Sequence, residues 1–392
     1  MKSKNQADLA PASSPVSTAP VEIADYARLA RGSMSSMAWE YVSGAAAAET
    51  TLRWNEEAYD KIRLRPRNLV DVSHIDTKLS LFGHDLDCPI LLAPVAYQRL
   101  AHPEGERASV RGAEAAGATV VLSTFSTVTL EEVAAAAAKP HWFQLYVQPD
   151  REFTRELVRR AEAAGYKALV VTVDTPVLGP RYRELRHKFS LPEGMERANL
   201  KGLHTATGGH RPTERNIFSA TLDPKLTWQD IAWLRSLTSL PIILKGVMNA
   251  EDAGRAVDEG VSGLIVSNHG GRNLDTVPAT IDALPEVVAK TAGRFPILVD
   301  GGIRHGTDVL KALAFGASAV LIGRPYVYGL AVGGADGVSR VVNILRREFE
   351  MAMALTGKTS LAGVDRSVLW EEPIPGATQR IDPRIRLTMR IR

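Results

Sequence analysis

From about residue 87 onward, short runs rich in Val, Ile and Leu alternate with longer stretches whose apolar residues recur at helical spacing. That alternation is the signature of βα units around a parallel sheet, where strands covered on both faces read as continuous apolar segments. It predicts strands over Ile90–Pro94, Thr119–Ser123, Trp142–Val147, Ala168–Val173, Ile242–Gly246, Gly263–Ser267, Ile297–Asp300 and Ala319–Gly323, with helices such as Arg151–Ala164, Ala250–Glu259, Ile281–Thr291, Thr307–Phe315 and Gly337–Met353. Eight units in simple succession predict an α/β fold closed into a (β/α)8 TIM barrel, since closure removes both sheet edges. The segment from Asp308 to Gly316 shows the helical grammar: apolar residues at helical spacing, then a glycine suited to cap the C-terminus.

Around this core, residues 22–60, with Trp39, Tyr41, Trp54 and Tyr59, predict helices that precede and cap the barrel. The barrel domain is expected over residues 21–370, with a disordered Ala/Pro/Ser-rich tail at 1–20 and a C-terminal tail at 371–392. Residues 183–225, between the fourth and fifth strands, are polar and rich in Gly, His, Arg and Pro and predict a long mobile active-site loop. The alanine run Ala134–Ala138 predicts helix.

Composition adds little beyond a globular chain: 392 residues, 45% hydrophobic, with a formal charge of +3 that gives no argument for nucleic acid or an anionic membrane. No apolar run reaches the roughly 20 residues a membrane helix needs. Cys88 is the only cysteine, so intrachain disulfides and multi-cysteine metal sites are excluded and a reducing cytoplasm is expected. Its place at the head of an apolar strand predicts packing rather than nucleophilic chemistry.

The candidate chemistry lies where strands end. Gln144 and Tyr146 close the third strand, Thr172 and Asp174 the fourth, Lys245 the fifth, His269 and Arg272 follow the sixth, Asp300, Gly301, Gly302 and Arg304 the seventh, and Gly323 and Arg324 the eighth. Reactive groups in barrels of this kind gather there, and a buried Lys or Asp facing the barrel axis is costly without a partner or a use. His269 offers a base near neutral pH, and Arg272, three residues on, a fork for a carboxylate; read alone, the same segment also fits a core histidine beside turn glycines. Gly301 and Gly302 with Arg304 and Arg324 predict a site for a phosphorylated ligand, because loops after strands seven and eight commonly bind phosphate in this fold. The dinucleotide fingerprint, the P-loop, HExxH and GxSxG are all absent. His102, His141, His204, His210 and His305 are scattered along the chain and are expected on surfaces or loops, with no metal site.

Taken in order, Ala93-Pro94-Val95-Ala96, His102-Pro103-Glu104-Gly105-Glu106, Gln144-Leu145-Tyr146, Thr172-Val173-Asp174-Thr175-Pro176, Lys245-Gly246-Val247, Ser267 through Arg272, Asp300 through Arg304, and Ile322-Gly323-Arg324-Pro325 resemble the FMN-dependent L-2-hydroxy acid oxidases and dehydrogenases over about Val21 to Trp370. That family includes glycolate, lactate and mandelate oxidases. The resemblance implies FMN across the strand ends, contacted by Ala93, Pro94, Val95, Ala96, Ser123, Gln144, Thr172, Ser267, Asp300, Gly301 and Gly302. Arg304, Gly323 and Arg324 would hold its phosphate, and Lys245 would sit beside the flavin N1 and C2 carbonyl. Arg272 and Arg181, helped by Tyr41, would grip the substrate carboxylate, His269 would act as base, Asp174 would stabilise the imidazolium, and Tyr146 would bond the substrate hydroxyl. Proton removal from C2 and hydride transfer remain alternative routes. Tyr97, Phe125 and Leu178 would line the space for the substrate side chain.

Four positions depart from the family pattern: Asn273 stands for a glutamine, His305 for an arginine, Phe125 for the tryptophan of glycolate oxidase, and Ser43-Gly44 falls one residue early. The resemblance implies oxidation of an L-2-hydroxy acid to the 2-keto acid, with L-lactate first and glycolate or mandelate-type acids next. No heme-binding domain precedes the barrel, so oxygen is the expected acceptor, with a dehydrogenase using another acceptor as the alternative. A homo-oligomer, tetramer or octamer, is expected. A flavin barrel of the isopentenyl diphosphate isomerase type and a non-catalytic anion-binding barrel are the rival readings.

Overall fold

The computed structural model describes residues 19–203 and 217–370. Eight parallel strands, β3 Ile90–Leu92, β4 Thr119–Ser123, β5 Trp142–Leu145, β6 Leu169–Thr172, β7 Ile242–Val247, β8 Gly263–Val266, β9 Ile297–Asp300 and β10 Ala319–Ile322, close into a barrel with β10 beside β3. These are the eight predicted runs, several trimmed by a residue or two at their ends. They follow an antiparallel hairpin, β1 Leu79–Leu81 and β2 His84–Leu86, whose three-residue arms were too short to register as a pattern.

Strand pleat sorts the side chains into two cores. Leu91, Val121, Trp142, Val170, Ile243, Ile265, Leu298 and Leu321 form one cluster inside the barrel, while their neighbours Leu92, Val120, Phe143, Val171, Leu244, Leu264, Val299 and Ile322 pack outward beneath the helices. Leu81, Leu86 and Phe82 of the hairpin join the inner cluster, and Phe82 meets the Trp142 ring edge-on at 5.4 Å. Two residues beyond each inner-core residue the phase points inward again, one layer nearer the C-terminal mouth. The residues in that layer are Ala93, Ser123, Gln144, Thr172, Lys245, Ser267, Asp300 and Gly323. An apolar layer thus seals the barrel and a polar layer opens above it.

Three helices, α1 Ile23–Ser33, α2 Ser36–Ser43 and α3 Thr50–Lys61, precede the barrel. Asp275 caps the start of α3, accepting from the backbone N–H of Thr51 at 2.8 Å and Ala48 at 3.1 Å. Asn55 of α3 exchanges amide hydrogen bonds of 2.9 and 2.8 Å with Asn268, fixing the helix to the loop after β8. At Gly302, where φ is +81°, a Cβ would lie 1.9 Å from the Asn55 carbonyl oxygen, so only glycine lets α3 approach the end of β9.

Four expectations change. The Ala134–Ala138 run is helical only to Ala135, within α5 Leu130–Ala135. The expected helix Gly337–Met353 lies in the second part of α12 Arg324–Leu355, after a break at Gly333 and Gly334, whose dihedrals leave the helical region; the helical part before the break, opening at Arg324, is additional. The described part of residues 183–225 carries structure of its own, a helix α7 Tyr182–Arg186 and a 3-10 turn Ala198–Leu200. The disordered tail expected at 1–20 lies outside the described residues except for residues 19–20, and the tail at 371–392, His204 and His210 lie outside them altogether. His141 is buried, not superficial: its Nδ1 meets Thr119 Oγ1 at 2.9 Å, and burial pushes its pKa down to about 3. Cys88 is buried, and burial raises its thiol to about 11. Among the described residues no helix is long and apolar enough to cross a membrane.

Candidate active site

The polar layer floors a cavity of about 1540 Å³ at the C-terminal mouth of the barrel. Every candidate site residue lines it except Gln144, Asp174 and Ser267, which stand directly behind the lining. Gln144 ties three strands together: its Nε2 donates to Thr172 Oγ1 at 2.9 Å, and its Oε1 accepts from Ser123 Oγ at 3.2 Å. Ser267 accepts from Lys245 Nζ at 2.8 Å, and Lys245 pairs with Asp300 Oδ2 at 3.1 Å. Lys245 is therefore a fixed cation on the cavity floor, held from behind by strands β8 and β9.

His269 sits on the loop after β8 with φ +58°, a left-handed backbone unusual outside glycine. Its Nδ1 is 2.9 Å from Asp174 Oδ1, and its Nε2 is 3.4 Å from the Tyr146 hydroxyl. Burial raises the Asp174 carboxyl, but His269, Lys245 and the Thr175 hydroxyl more than offset it, so Asp174 lies below the usual range and stays ionised. A carboxylate only accepts, so Nδ1 carries the hydrogen and Nε2 keeps its lone pair. Burial lowers the imidazole pKa, Asp174 opposes it, and Lys245 and Arg181 lower it further. His269 is thus a neutral base at neutral pH. For a reaction that needs it, kcat/KM is expected to be level at neutral pH and to fall as pH drops through a value below the ordinary 6.5. Asp174→Asn removes the raising influence, so the break should move to still lower pH while the plateau drops; an upward move in the pH profile contradicts the assignment.

The two arginines converge from different loops. Arg272 Nη1 donates to the carbonyls of Tyr41 at 2.7 Å and Gly44 at 2.8 Å, and Nη2 to Glu184 Oε1 at 2.8 Å. Arg181 Nη1 lies 3.5 Å from the same Glu184 oxygen, and its Nε donates to the Arg272 carbonyl at 3.2 Å. The Arg272 guanidinium also covers the Tyr41 ring at 4.9 Å. Arg324 donates to Val42, Gly270 and Gly44 carbonyls, and burial pushes its pKa down to about 10. Arg272 and Arg324 therefore occupy the orphan carbonyls at the C-terminus of α2, which is what holds Tyr41 over the cavity. Sequence reasoning missed Glu184; its place three residues after Arg181, where a helical turn brings the two together, is the signal that was available.

The lining fits a planar phosphorylated cofactor. Asp300 Oδ1 is buried without a hydrogen-bond partner among the described residues. Gly301 has φ +93° and a Cβ there would lie 3.0 Å from Thr280 Oγ1, whereas a Cβ on Gly323 would meet nothing closer than 3.9 Å, so the Gly323 backbone faces open space. Gly323 is also the N-cap of α12, and the N-terminus of a helix favours an anion. Arg304 lines the same region, although its Nη2 pairs with Glu56 at 2.7 Å. Tyr97, Phe125 and Leu178 line the cavity, Tyr97 stacking on Phe125 at 6.4 Å and Phe125 meeting Tyr146 at 4.7 Å. Among the described residues no group of three or more His, Cys, Asp or Glu is placed to hold a metal ion.

The FMN-dependent dehydrogenase family model matches residues 30–371. The chain is 50% identical over 359 residues to the L-lactate oxidase of Nostoc sp., covering 90% of this chain and 98% of that one. It is also 50% identical over 357 residues to the peroxisomal (S)-2-hydroxy-acid oxidase GLO4 of Oryza sativa subsp. japonica, covering 90% and 96%. Among solved structures, a mandelate oxidase superposes with a TM-score of 0.83 at 41% identity, covering 90% of this chain and 99% of that one. The polar layer, the cradle above it and these relatives agree: the chain belongs to the FMN-dependent 2-hydroxy acid oxidase family, built on the (β/α)8 barrel.

Proposed function

We propose that this protein oxidises L-lactate, and more slowly glycolate or mandelate-type acids, to the 2-keto acid, with His269 as base and oxygen as electron acceptor. The observation that carries this reading is the His269 arrangement: Nδ1 on Asp174 at 2.9 Å, and Nε2 turned to Tyr146 in a cavity that Arg181 and Arg272 also line. FMN, when bound, supplies the acceptor for the two electrons that leave the substrate. Lys245, held by Asp300 and Ser267, keeps a fixed positive charge on the cavity floor that would favour electron density on the cofactor, and Gly301, Gly302, Arg304, Gly323 and Arg324 would hold its phosphate.

Arg181 and Arg272 take the substrate carboxylate as a two-forked anchor, and Glu184, which pairs with both guanidiniums, holds them together and partly neutralises them. His269 Nε2 receives one proton, from C2 or from the hydroxyl, and Asp174 balances the imidazolium that forms. Burial raises the Tyr146 and Tyr41 phenols, so both remain donors to substrate oxygens.

Two features support a homo-oligomer, tetramer or octamer, in the cytoplasm: exposed Leu69, Leu274 and Leu355, and the single buried thiol of Cys88. The test of the chemistry is anaerobic mixing of FMN-loaded protein with L-lactate, glycolate or L-mandelate, followed by air. Loss of the yellow colour, fastest with L-lactate, and its return with peroxide in air are expected. Persistence of the colour with all three acids refutes the reading, and a colour that air does not restore favours another acceptor.

A further inference from the structure

Besides Arg181, Arg272, Arg304 and Arg324, the cavity is lined by a fifth arginine, Arg197. Its carrier segment is pinned rather than loose. The buried Asn199 accepts from the Leu130 backbone N–H at 2.8 Å and donates to Ser126 Oγ at 2.7 Å, and Ala198 N–H donates to the Ser126 carbonyl at 3.0 Å. The 3-10 turn Ala198–Leu200 is therefore fastened to the loop after β4, and Arg197 projects from its start into the cavity lining. There its guanidinium covers the Phe125 ring at 4.5 Å and the Tyr97 ring at 5.8 Å. Nε donates to the Tyr97 hydroxyl at 2.6 Å and Nη1 to Thr221 Oγ1 at 2.9 Å.

Nη2 has no hydrogen-bond partner among the described residues, and no described carboxylate lies within ion-pair distance of the group. The adjacent Glu196 pairs instead with Lys201 at 3.5 Å. A charge held over two aromatic rings on a segment pinned by a buried asparagine, with no counter-ion among the described residues, is a recognition element for an anion. The rings it covers are those of the side-chain space. From Arg197 the wall runs through Phe125 to Tyr146, whose ring is 4.7 Å from that of Phe125 and whose hydroxyl is 3.4 Å from His269. A substrate anchored by its first carboxylate at Arg181 and Arg272 points its side chain along this wall.

We infer that Arg197 is a specificity-determining residue that selects 2-hydroxy acids carrying a second carboxylate at the far end of the side chain. This rests on the hydroxy-acid reading of the site. The test compares kcat/KM for L-2-hydroxyglutarate with that for its uncharged-tail analogue L-2-hydroxypentanoate in the FMN-loaded wild type, Arg197→Leu and Arg197→Lys. The dicarboxylate should be favoured in the wild type by about tenfold or more, the size of one charge-assisted bond. The ratio should collapse in Arg197→Leu and be partly restored in Arg197→Lys. Without turnover, the same contrast is read as Kd for 2-oxoglutarate against 2-oxopentanoate, which also covers a leucine variant that loses flavin. A wild type that does not favour the dicarboxylate, or a ratio unchanged in Arg197→Leu, overturns the role of Arg197 alone. Failure of both acids and of L-lactate to reduce the flavin overturns the hydroxy-acid reading with it.

Discussion

His269→Ala is expected to retain flavin and to be reduced by L-lactate about 10²–10⁴-fold more slowly than the wild type, the usual contribution of a positioned general base. The protein should still fold, because the ring is held by a few polar contacts rather than by the core: Asp174 at 2.9 Å, Thr175 at 3.3 Å and Tyr146 at 3.4 Å. The cost falls on Asp174, which loses its hydrogen bond from His269 Nδ1 while its Oδ2 already lacks a partner among the described residues. Its pKa should rise in the variant. Because residue 269 sits at φ +58°, His269→Asn is the companion variant: asparagine tolerates that backbone and lacks the base. Both should show the same slow reduction by anaerobic stopped-flow. A rate within tenfold of the wild type in the asparagine variant removes His269 from the role of base.

Arg272→Met should carry the second large effect, a fall in kcat/KM of roughly 30- to 3000-fold, from about 2–5 kcal/mol for truncating one partner of a buried charge pair at about 1.4 kcal/mol per tenfold. Two losses combine. The substrate carboxylate keeps only Arg181, and Glu184 keeps only the longer 3.5 Å contact to the same residue. The carbonyls of Tyr41 and Gly44 also lose a donor, so the C-terminus of α2 loosens and Tyr41 shifts. KM should therefore rise and kcat fall together. Arg272→Lys should rescue little, because an ammonium cannot serve two carbonyls and a carboxylate from one planar fork. Substrate-dependent flavin reduction over a concentration series separates the two parameters, and near-wild-type kcat/KM in the lysine variant argues against a forked anchor.

Much of this site is legible in the sequence because a barrel strand has period two. Once Val121, Trp142, Ile243 and Leu298 are recognised as core, Ser123, Gln144, Lys245 and Asp300 must share their face one layer up. A lysine or aspartate in that position has no structural reason to be there unless something uses it. What was not legible depends on distant chain segments meeting. Asn55 and Asn268 are 213 residues apart, and their exchange of hydrogen bonds exists only once α3 is docked. Glu184 and Arg197 lie in a polar stretch with no periodicity, and only folding shows one on the arginine pair and the other over Phe125. The phosphate reading of Arg304 and Arg324 rests, in the sequence, on their charge, the glycines beside them and their place after strands seven and eight. The folded chain directs much of both guanidiniums to Glu56 and to backbone carbonyls, and places the opening of α12 beside them.

The most direct measurement of the central claim is a crystal structure of the FMN-loaded protein with pyruvate, the product of L-lactate oxidation. The expected result is a carboxylate bridging Arg181 and Arg272, with the keto oxygen about 3 Å from His269 Nε2 or the Tyr146 hydroxyl. A keto acid bound with its carboxylate away from both arginines, or its keto oxygen out of reach of His269 and Tyr146, contradicts it.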